Sequence, residues 1–346
     1  MSAFAPARFP PASRASTPRR AVARRHYGEV MGERVVVTGG AGFIGSHVVA
    51  AHRAAGDDVT VLDDLSTGRR EHVPAGIRLV EADVRSAEAR ALLATGGFTV
   101  LNHHAAQIDV RKSVADPVAD ASVNVLGFIN LLEGARAGGV RRVVFASSGG
   151  TVYGEGEQLP VAEQARKLPA SPYGTAKLAA EYYLALFSQL YGLEGVVLRY
   201  SNVYGPRQDP HGEAGVVAIF ARRVLAGAPL TVFGTGEQTR DLVYVGDVAE
   251  ANVRASRLAT AALTDLDSRA YNIGTGIETS VNALAAEMGR AAGKPVAIER
   301  APARLGEIER SALAIGKATR ELGWRPAATL ADGVRATLRW FQESER

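Results

Sequence analysis

Val37-Thr38-Gly39-Gly40-Ala41-Gly42-Phe43-Ile44-Gly45-Ser46-His47 decides the fold of this 346-residue chain. The apolar run Arg34–Thr38 reads as a strand and the pattern near 43–55 as a helix, with only the glycine turn between them. A Cβ at Gly39, Gly42 or Gly45 would block the tight turn. It would also keep the backbone away from a pyrophosphate, whose charge the N-terminus of the next helix favours. Strand, glycine turn and helix together make the first unit of a doubly wound sheet.

The alternation continues outward from that turn. Val-rich runs at Val59–Leu62, Ile77–Val80, Val100–Asn102, Val143–Ala146 and Gly195–Arg199 are separated by helical patterns near 86–94, 116–138 and 174–191. Strands apolar on both faces, alternating with helices, predict a Rossmann-type doubly wound parallel sheet. From about 203 the pattern turns mixed, with helices near 214–226, 247–259, 280–292 and 330–343. The reading is α/β throughout: a cofactor-binding Rossmann domain over 31–202 and a smaller C-terminal α/β substrate lobe over 203–346. Segments near 235–260 are expected to return to the main sheet.

Composition narrows the function classes. No Cys is present, which excludes disulfides, thiolate metal sites and a Cys nucleophile. No uninterrupted apolar run approaches ~18 residues, so a membrane span is not expected, and a cytoplasmic location is. The formal charge of +4 is misleading. Removing residues 1–30 takes away Arg8, Arg14, Arg19, Arg20, Arg24, Arg25 and Glu29, and leaves −1. The basic excess is a tail and not a face of the fold, so nucleic acid is not expected as a partner. That tail reads as disordered, or as a mis-assigned start in which Met31, directly before Gly32-Glu33-Arg34, is the true beginning.

Two further groups carry chemistry. Asp63 ends the second strand, 24 residues after Gly39. A carboxylate there accepts both hydroxyls of a ribose and repels a 2′-phosphate, which favours NAD over NADP. Asp83 and Val84 are placed to reach the adenine edge, and Ala105 and Ala106 to form a flat wall for the rings. Tyr173 and Lys177 stand four apart on one expected helix face in Ser171-Pro172-Tyr173-Gly174-Thr175-Ala176-Lys177. A free phenol has a pKa of about 10, and a neighbouring ammonium favours the phenolate. A phenol that moves protons beside a cofactor that moves hydride outlines a nicotinamide oxidoreductase.

With these residues in place, the chain resembles the extended short-chain dehydrogenase/reductases, and among them the UDP-glucose 4-epimerases. The motifs are those of residues 37–47, Leu62–Gly68, His103–Gln107, Ser147–Gly154, Leu198–Arg207 and Thr239–Val245. The resemblance implies that NAD is held by Gly39, Gly42, Phe43, Ile44, Gly45, Asp63, Asp64, Ser66, Thr67, Gly68, Asp83, Val84, His104, Ala105, Ala106, Gln107, Asn124, Ser147, Tyr173, Lys177 and Tyr200. It also implies Tyr173 as the base and Lys177 as a contact to the nicotinamide ribose. Ser148 is chosen as the hydroxyl that shares the reacting oxygen, with Ser147 and Thr151 as substitutes. For a UDP-sugar, Asn202 and Arg207 resemble sugar and diphosphate contacts, Val216, Val217 and Phe233 suit the uracil, and Arg240 and Arg304 suit the diphosphate. Glu307 matches an acid on the uridine ribose. Ser311 falls where some relatives have a bulky aromatic, which leaves room for a 2-acetamido group.

The expected reaction is 4-epimerisation of a UDP-hexose through a transient 4-keto sugar, with UDP-glucose/UDP-galactose first and the N-acetylated pair second. A 4,6-dehydratase carries Asp-Glu where this chain has Gly149-Gly150. A UDP-uronate 4-epimerase or decarboxylase stays open, as does a non-catalytic NAD-binding sensor. No metal is expected: His103 and His104 are adjacent, face opposite ways in a strand, and are read as lining the cofactor wall. Asp241 is read as pairing near Arg240, and Asp247 as capping the helix Val248–Leu258. Apolar faces on 116–138 and 171–191 resemble the family's dimer bundle and predict a homodimer.

Overall fold

A computed structural model describes residues 32–155, 158–210, 215–260, 262–303 and 308–344. The expected tail and the Met31 start lie outside the described residues. Seven parallel strands form the main sheet: β1 (Arg34–Thr38), β2 (Asp58–Asp63), β3 (Arg78–Glu81), β4 (Val100–His103), β5 (Arg142–Ser148), β6 (Glu194–Tyr200) and β7 (Ala270–Ile273). Their order is β7-β6-β5-β4-β1-β2-β3. The chain order reverses between β1 and β4, and such a switch point opens a crevice beyond the carboxyl ends of the strands. Thr38 is in register with Leu62 and His103, and Ser148 with Tyr200, so these residues share the carboxyl edge.

Both faces of the sheet are buried, which is why its strands read as unbroken apolar runs. Val35 and Val37 point into one core with Val48, Val49, Val248 and Trp324. Val36 points into the other with Leu93, Leu131, Leu132 and Leu184. A third core gathers Val217, Phe220, Leu230, Leu284, Met288 and Leu338 around the parallel pair Leu230–Phe233 and Ile298–Ala301. The helix Pro172–Tyr191 starts on Pro172 behind a Ser171 cap, whose hydroxyl accepts from Gly174 N at 3.1 Å, and ends on Gly192 at φ +75°.

Three local expectations differ from the structure. The chain returns to the main sheet at Ala270–Ile273, while 235–260 supplies the helix Val245–Arg257 that packs on one sheet face. The stretch expected as one helix over 116–138 is interrupted by a π turn, Ser122–Gly127. Asp247 lies inside its helix rather than at the cap. Its carboxylate accepts from the backbone N–H groups of Ala327 and Ala328 at 3.0 and 3.1 Å.

Candidate active site

The glycine turn is built by close backbone packing. Gly39 has φ +68°, and a Cβ there would stand 2.6 Å from Ala105 N. A Cβ on Gly45 would stand 2.0 Å from Gly39 O. The turn thus presses against His104-Ala105, just after the end of β4. Asp63 is 6% exposed and is held by the N–H groups of Ala41 and Leu65, both at 2.9 Å. Burial raises its pKa, and those two hydrogen bonds oppose the rise. A Cβ on Gly68 would meet Asp63 Oδ1 at 2.7 Å, so that glycine closes over the carboxylate. Asp64 is exposed and bonds Ser66 N and Oγ at 3.0 and 2.6 Å. A turn whose glycines Gly39, Gly42 and Gly45 keep Cβ atoms out of its tightest places, with one buried carboxylate beside it, fits a dinucleotide with a free ribose diol.

Tyr173 and Lys177 lie on one face of the helix Pro172–Tyr191, with Lys177 Nζ 5.8 Å from the Tyr173 ring centroid. Lys177 is 4% exposed, and its ammonium donates to Ala146 O at 3.0 Å. Burial lowers its pKa to about 8, with Asp120 and Glu181 pulling upward. The Tyr173 backbone N–H is fixed by Ser113 Oγ at 3.2 Å. Ser148 is the last residue of β5 and half-buried, and its hydroxyl has no protein partner among the described residues. Thr151 lies on the short helix Gly149–Val152 that follows, with its Oγ1 buried and unpartnered. A Cβ on Gly149 would stand 2.5 Å from Leu313 Cδ1, so Leu313 occupies the place a side chain there would take.

Several expected cofactor contacts are otherwise engaged. Ser147 is buried and donates to Glu181 Oε1 at 2.6 Å. His103 is not part of a cofactor wall: it stacks on Phe128 at 4.8 Å and bonds Thr38 Oγ1 at 2.7 Å inside the core. His104 stacks on Tyr200 at 6.1 Å, and burial pushes its pKa down to about 3, so the ring is neutral. Asp83 is held by Arg85 Nε at 2.9 and 3.0 Å, which lowers its pKa, and Val84 is buried against Gly127. Asn124, in the π turn, accepts from Gln107 N and donates to Gln107 O, at 3.1 and 2.9 Å. That exchange fixes the loop after Ala106.

On the C-terminal side, Asn202 is exposed at the start of the strand Asn202–Tyr204, which pairs with Leu242–Tyr244. Val216 and Phe233 are half-buried, whereas Val217 is 1% exposed and packs in the third core, which leaves it no surface for a base. Arg240 sits on the short strand Thr239–Arg240 with Nη1 donating to Thr239 O at 2.7 Å. Asp241 serves the backbone instead of a cation: it accepts from the N–H groups of Thr275, Gly276 and Leu313. Ser311 is half-buried two residues before Leu313, on the segment that crosses above Gly149. Arg304 and Glu307 lie outside the described residues.

Two carboxylates at the site escaped the sequence reading although their spacing marks them. Glu181 follows Lys177 by four residues and continues the Tyr173/Lys177 helix face. Asp120 precedes Asn124 by four, is 1% exposed, and accepts from Gln107 Nε2 and Asn124 Nδ2, both at 2.9 Å. Burial raises the pKa of Asp120. Both carboxylates act on the Lys177 charge.

The chain is similar to known proteins over most of its length. Residues 35–274 match the NAD dependent epimerase/dehydratase family. A UDP-glucose 4-epimerase of Mycolicibacterium smegmatis is 45% identical, over 90% of this chain and 100% of that protein. The UDP-glucose 4-epimerase of Thermotoga maritima, solved with UDP-glucose, superposes with a TM-score of 0.84 at 40% identity, over 90% of this chain and 100% of its own. The Thermus thermophilus UDP-glucose 4-epimerase, solved with NAD, gives a TM-score of 0.80 at 48% identity, over 89% and 99%.

Proposed function

The chain belongs to the NAD dependent epimerase/dehydratase family, and from that premise we propose that it interconverts the 4-epimers of a UDP-hexose with NAD as its cofactor. UDP-glucose and UDP-galactose are the first pair, as the named activity of the relatives indicates. One observation carries the reading. Lys177 lies beside Tyr173 and is hydrogen-bonded to Ala146 O of β5, the strand that ends in Ser148. The place where dehydration would need an acid is Gly149, over which Leu313 is packed.

Bound NAD supplies a reversible hydride acceptor for the sugar carbon. The chain's own residues handle the proton. Tyr173 takes it from the 4-hydroxyl and later returns it, as a phenol held toward its anion by the Lys177 charge. Ser148 shares the same oxygen through its unpartnered hydroxyl. Asn202, Val216, Phe233 and Arg240, with Arg304 and Glu307, hold the nucleotide, so the sugar is left free to present either face.

A second copy of the chain completes the assembly. Val114, Val118, Leu126, Tyr182, Leu186 and Leu190 are exposed apolar side chains on the segments 110–127 and 172–191. Pairing of these faces would remove a patch that a monomer rarely leaves in water. Val118→Glu with Leu186→Glu is expected to halve the mass read by light scattering. An unchanged mass would remove this dimer.

The test of the reaction uses purified protein without added cofactor, offered UDP-glucose, UDP-N-acetylglucosamine and UDP-glucuronate, with products separated by chromatography. Interconversion of a 4-epimer pair is expected, with UDP-glucose turned over. No turnover of any of the three, with NAD added, would overturn the proposal.

A further inference from the structure

Arg207 is one of two non-glycine residues with positive φ among the described residues, at +68°. Its Nη1 is buried without a hydrogen-bond partner among the described residues. A strained backbone and an unpaired buried guanidinium N–H both cost stability, so the position is explained by a ligand that takes up the charge. The place of the loop identifies that ligand. The carbonyl of its neighbour Pro206 is bonded by His47 Nε2 at 3.0 Å, and His47 belongs to the helix that the glycine turn opens. His72, bonded to Ala41 O at 3.2 Å, flanks the same turn. Burial, with Arg207 nearby, lowers the pKa of both His47, to about 4, and His72. Arg207 is thus a cation close to both imidazoles that flank the turn, with Arg69 beside His72 as well.

We propose that Arg207 grips the diphosphate of the dinucleotide from the side opposite the glycine turn, rather than the diphosphate of the UDP-sugar. This rests on the NAD assignment above. The loop from β6 then works as a strap. His47 holds its backbone, and Arg207 reaches across to an anion already cradled by backbone N–H groups. A guanidinium fork suits that anion better than an ammonium, and the strap gives a cofactor that is recycled in place a reason to stay bound.

Arg207→Gly and Arg207→Asn test this, since both residues accept positive φ and keep the fold. The readouts are NAD released per chain on denaturation, the NAD Kd of the stripped protein by fluorescence titration, and the UDP Kd of the NAD-saturated protein. Expected is a rise in NAD Kd of about 10–100-fold, the loss of a charge-assisted hydrogen bond, with UDP Kd within about threefold of wild type. A UDP Kd raised tenfold with NAD binding intact overturns the proposal, as does equal weakening of both. Wild-type protein with no affinity for NAD sinks the cofactor assignment and this proposal together.

Discussion

The Lys177 ammonium is hydrogen-bonded to the main-chain carbonyl of Ala146 at 3.0 Å, so the strand that ends in Ser148 also anchors the cation beside Tyr173. With its pKa lowered to about 8 by burial, Lys177 is charged below that pH and neutral above it. A phenol alone would become a better base as pH rises. Here the charge that favours the phenolate disappears, so kcat is expected to fall above about pH 8 in a pH–rate profile. A profile still rising through pH 10 would sink this assignment. The linkage has a definite sign: the unfolded chain binds this proton up to about pH 10.5 and the fold releases it near 8, so folding stability rises over that window. Urea titrations of Lys177→Met should lack that rise.

Ser148 and Thr151 compete for the same role, and their hydroxyls differ in placement. Ser148 ends β5 with its hydroxyl unpartnered, while Thr151 Oγ1 is buried behind it on the next turn. Ser148→Ala is expected to lower kcat by about 10²-fold and Thr151→Val by less than tenfold. Tyr173→Phe should cost about 10²–10⁴-fold. Steady-state kinetics on UDP-glucose decide the order, and a Thr151 effect larger than that of Ser148 would exchange the two roles.

Asp63 accepts N–H groups from Ala41 and Leu65, one of them part of the glycine turn. Asp63→Asn keeps the volume but turns an amide N–H toward one of these donors. The NAD Kd is expected to rise about tenfold or more, and discrimination against NADP should shrink with the lost repulsion. Titration with both cofactors checks it. Unchanged preference would mean that Asp63 is structural only.

Much of this was legible because the parallel sheet is buried on both faces, so Val35, Val36 and Val37 read as an unbroken run. β7 escaped because it is four residues long and carries Asn272, whose side chain is bonded by Tyr153 OH at 2.7 Å. Asp247 was misread because its partners, Ala327 and Ala328, are about 80 residues away, beyond any local pattern. Ser147 and Ser148 look equivalent in sequence. The alternation of a strand sends one to Glu181 and leaves the other at the edge.

Glu181 and Arg199 have fully buried side chains and are paired at 2.6 Å, with Ser147 on the same carboxylate. Burial acts to lower the Arg199 pKa, and the Glu181 bonds outweigh it to give a net rise. Glu181→Gln leaves that guanidinium with Asp267, at 2.9 Å, as its remaining counter-charge, and should cost about 3 kcal/mol, the low end for a broken buried pair, read as a shift in the urea midpoint. Glu181 also supports the Lys177 charge, so the alkaline limb of the same variant should move to lower pH. A loss of stability with an unmoved limb would separate the two roles.

Ser311 stands two residues before Leu313, which packs on Gly149, the residue after Ser148. A serine there leaves space that a tyrosine would fill, and a 2-acetamido group needs such space. Wild type is therefore expected to epimerise UDP-N-acetylglucosamine as well as UDP-glucose. Ser311→Tyr should lower kcat/KM for the N-acetylated sugar by about tenfold or more, and for UDP-glucose by less than threefold, since exclusion of a group of this size is worth about 1–3 kcal/mol. Equal losses on both sugars would show that the tyrosine perturbs the fold of the segment and not the width of the pocket. A variant that kept full activity on the N-acetylated sugar would place its acetamido group elsewhere.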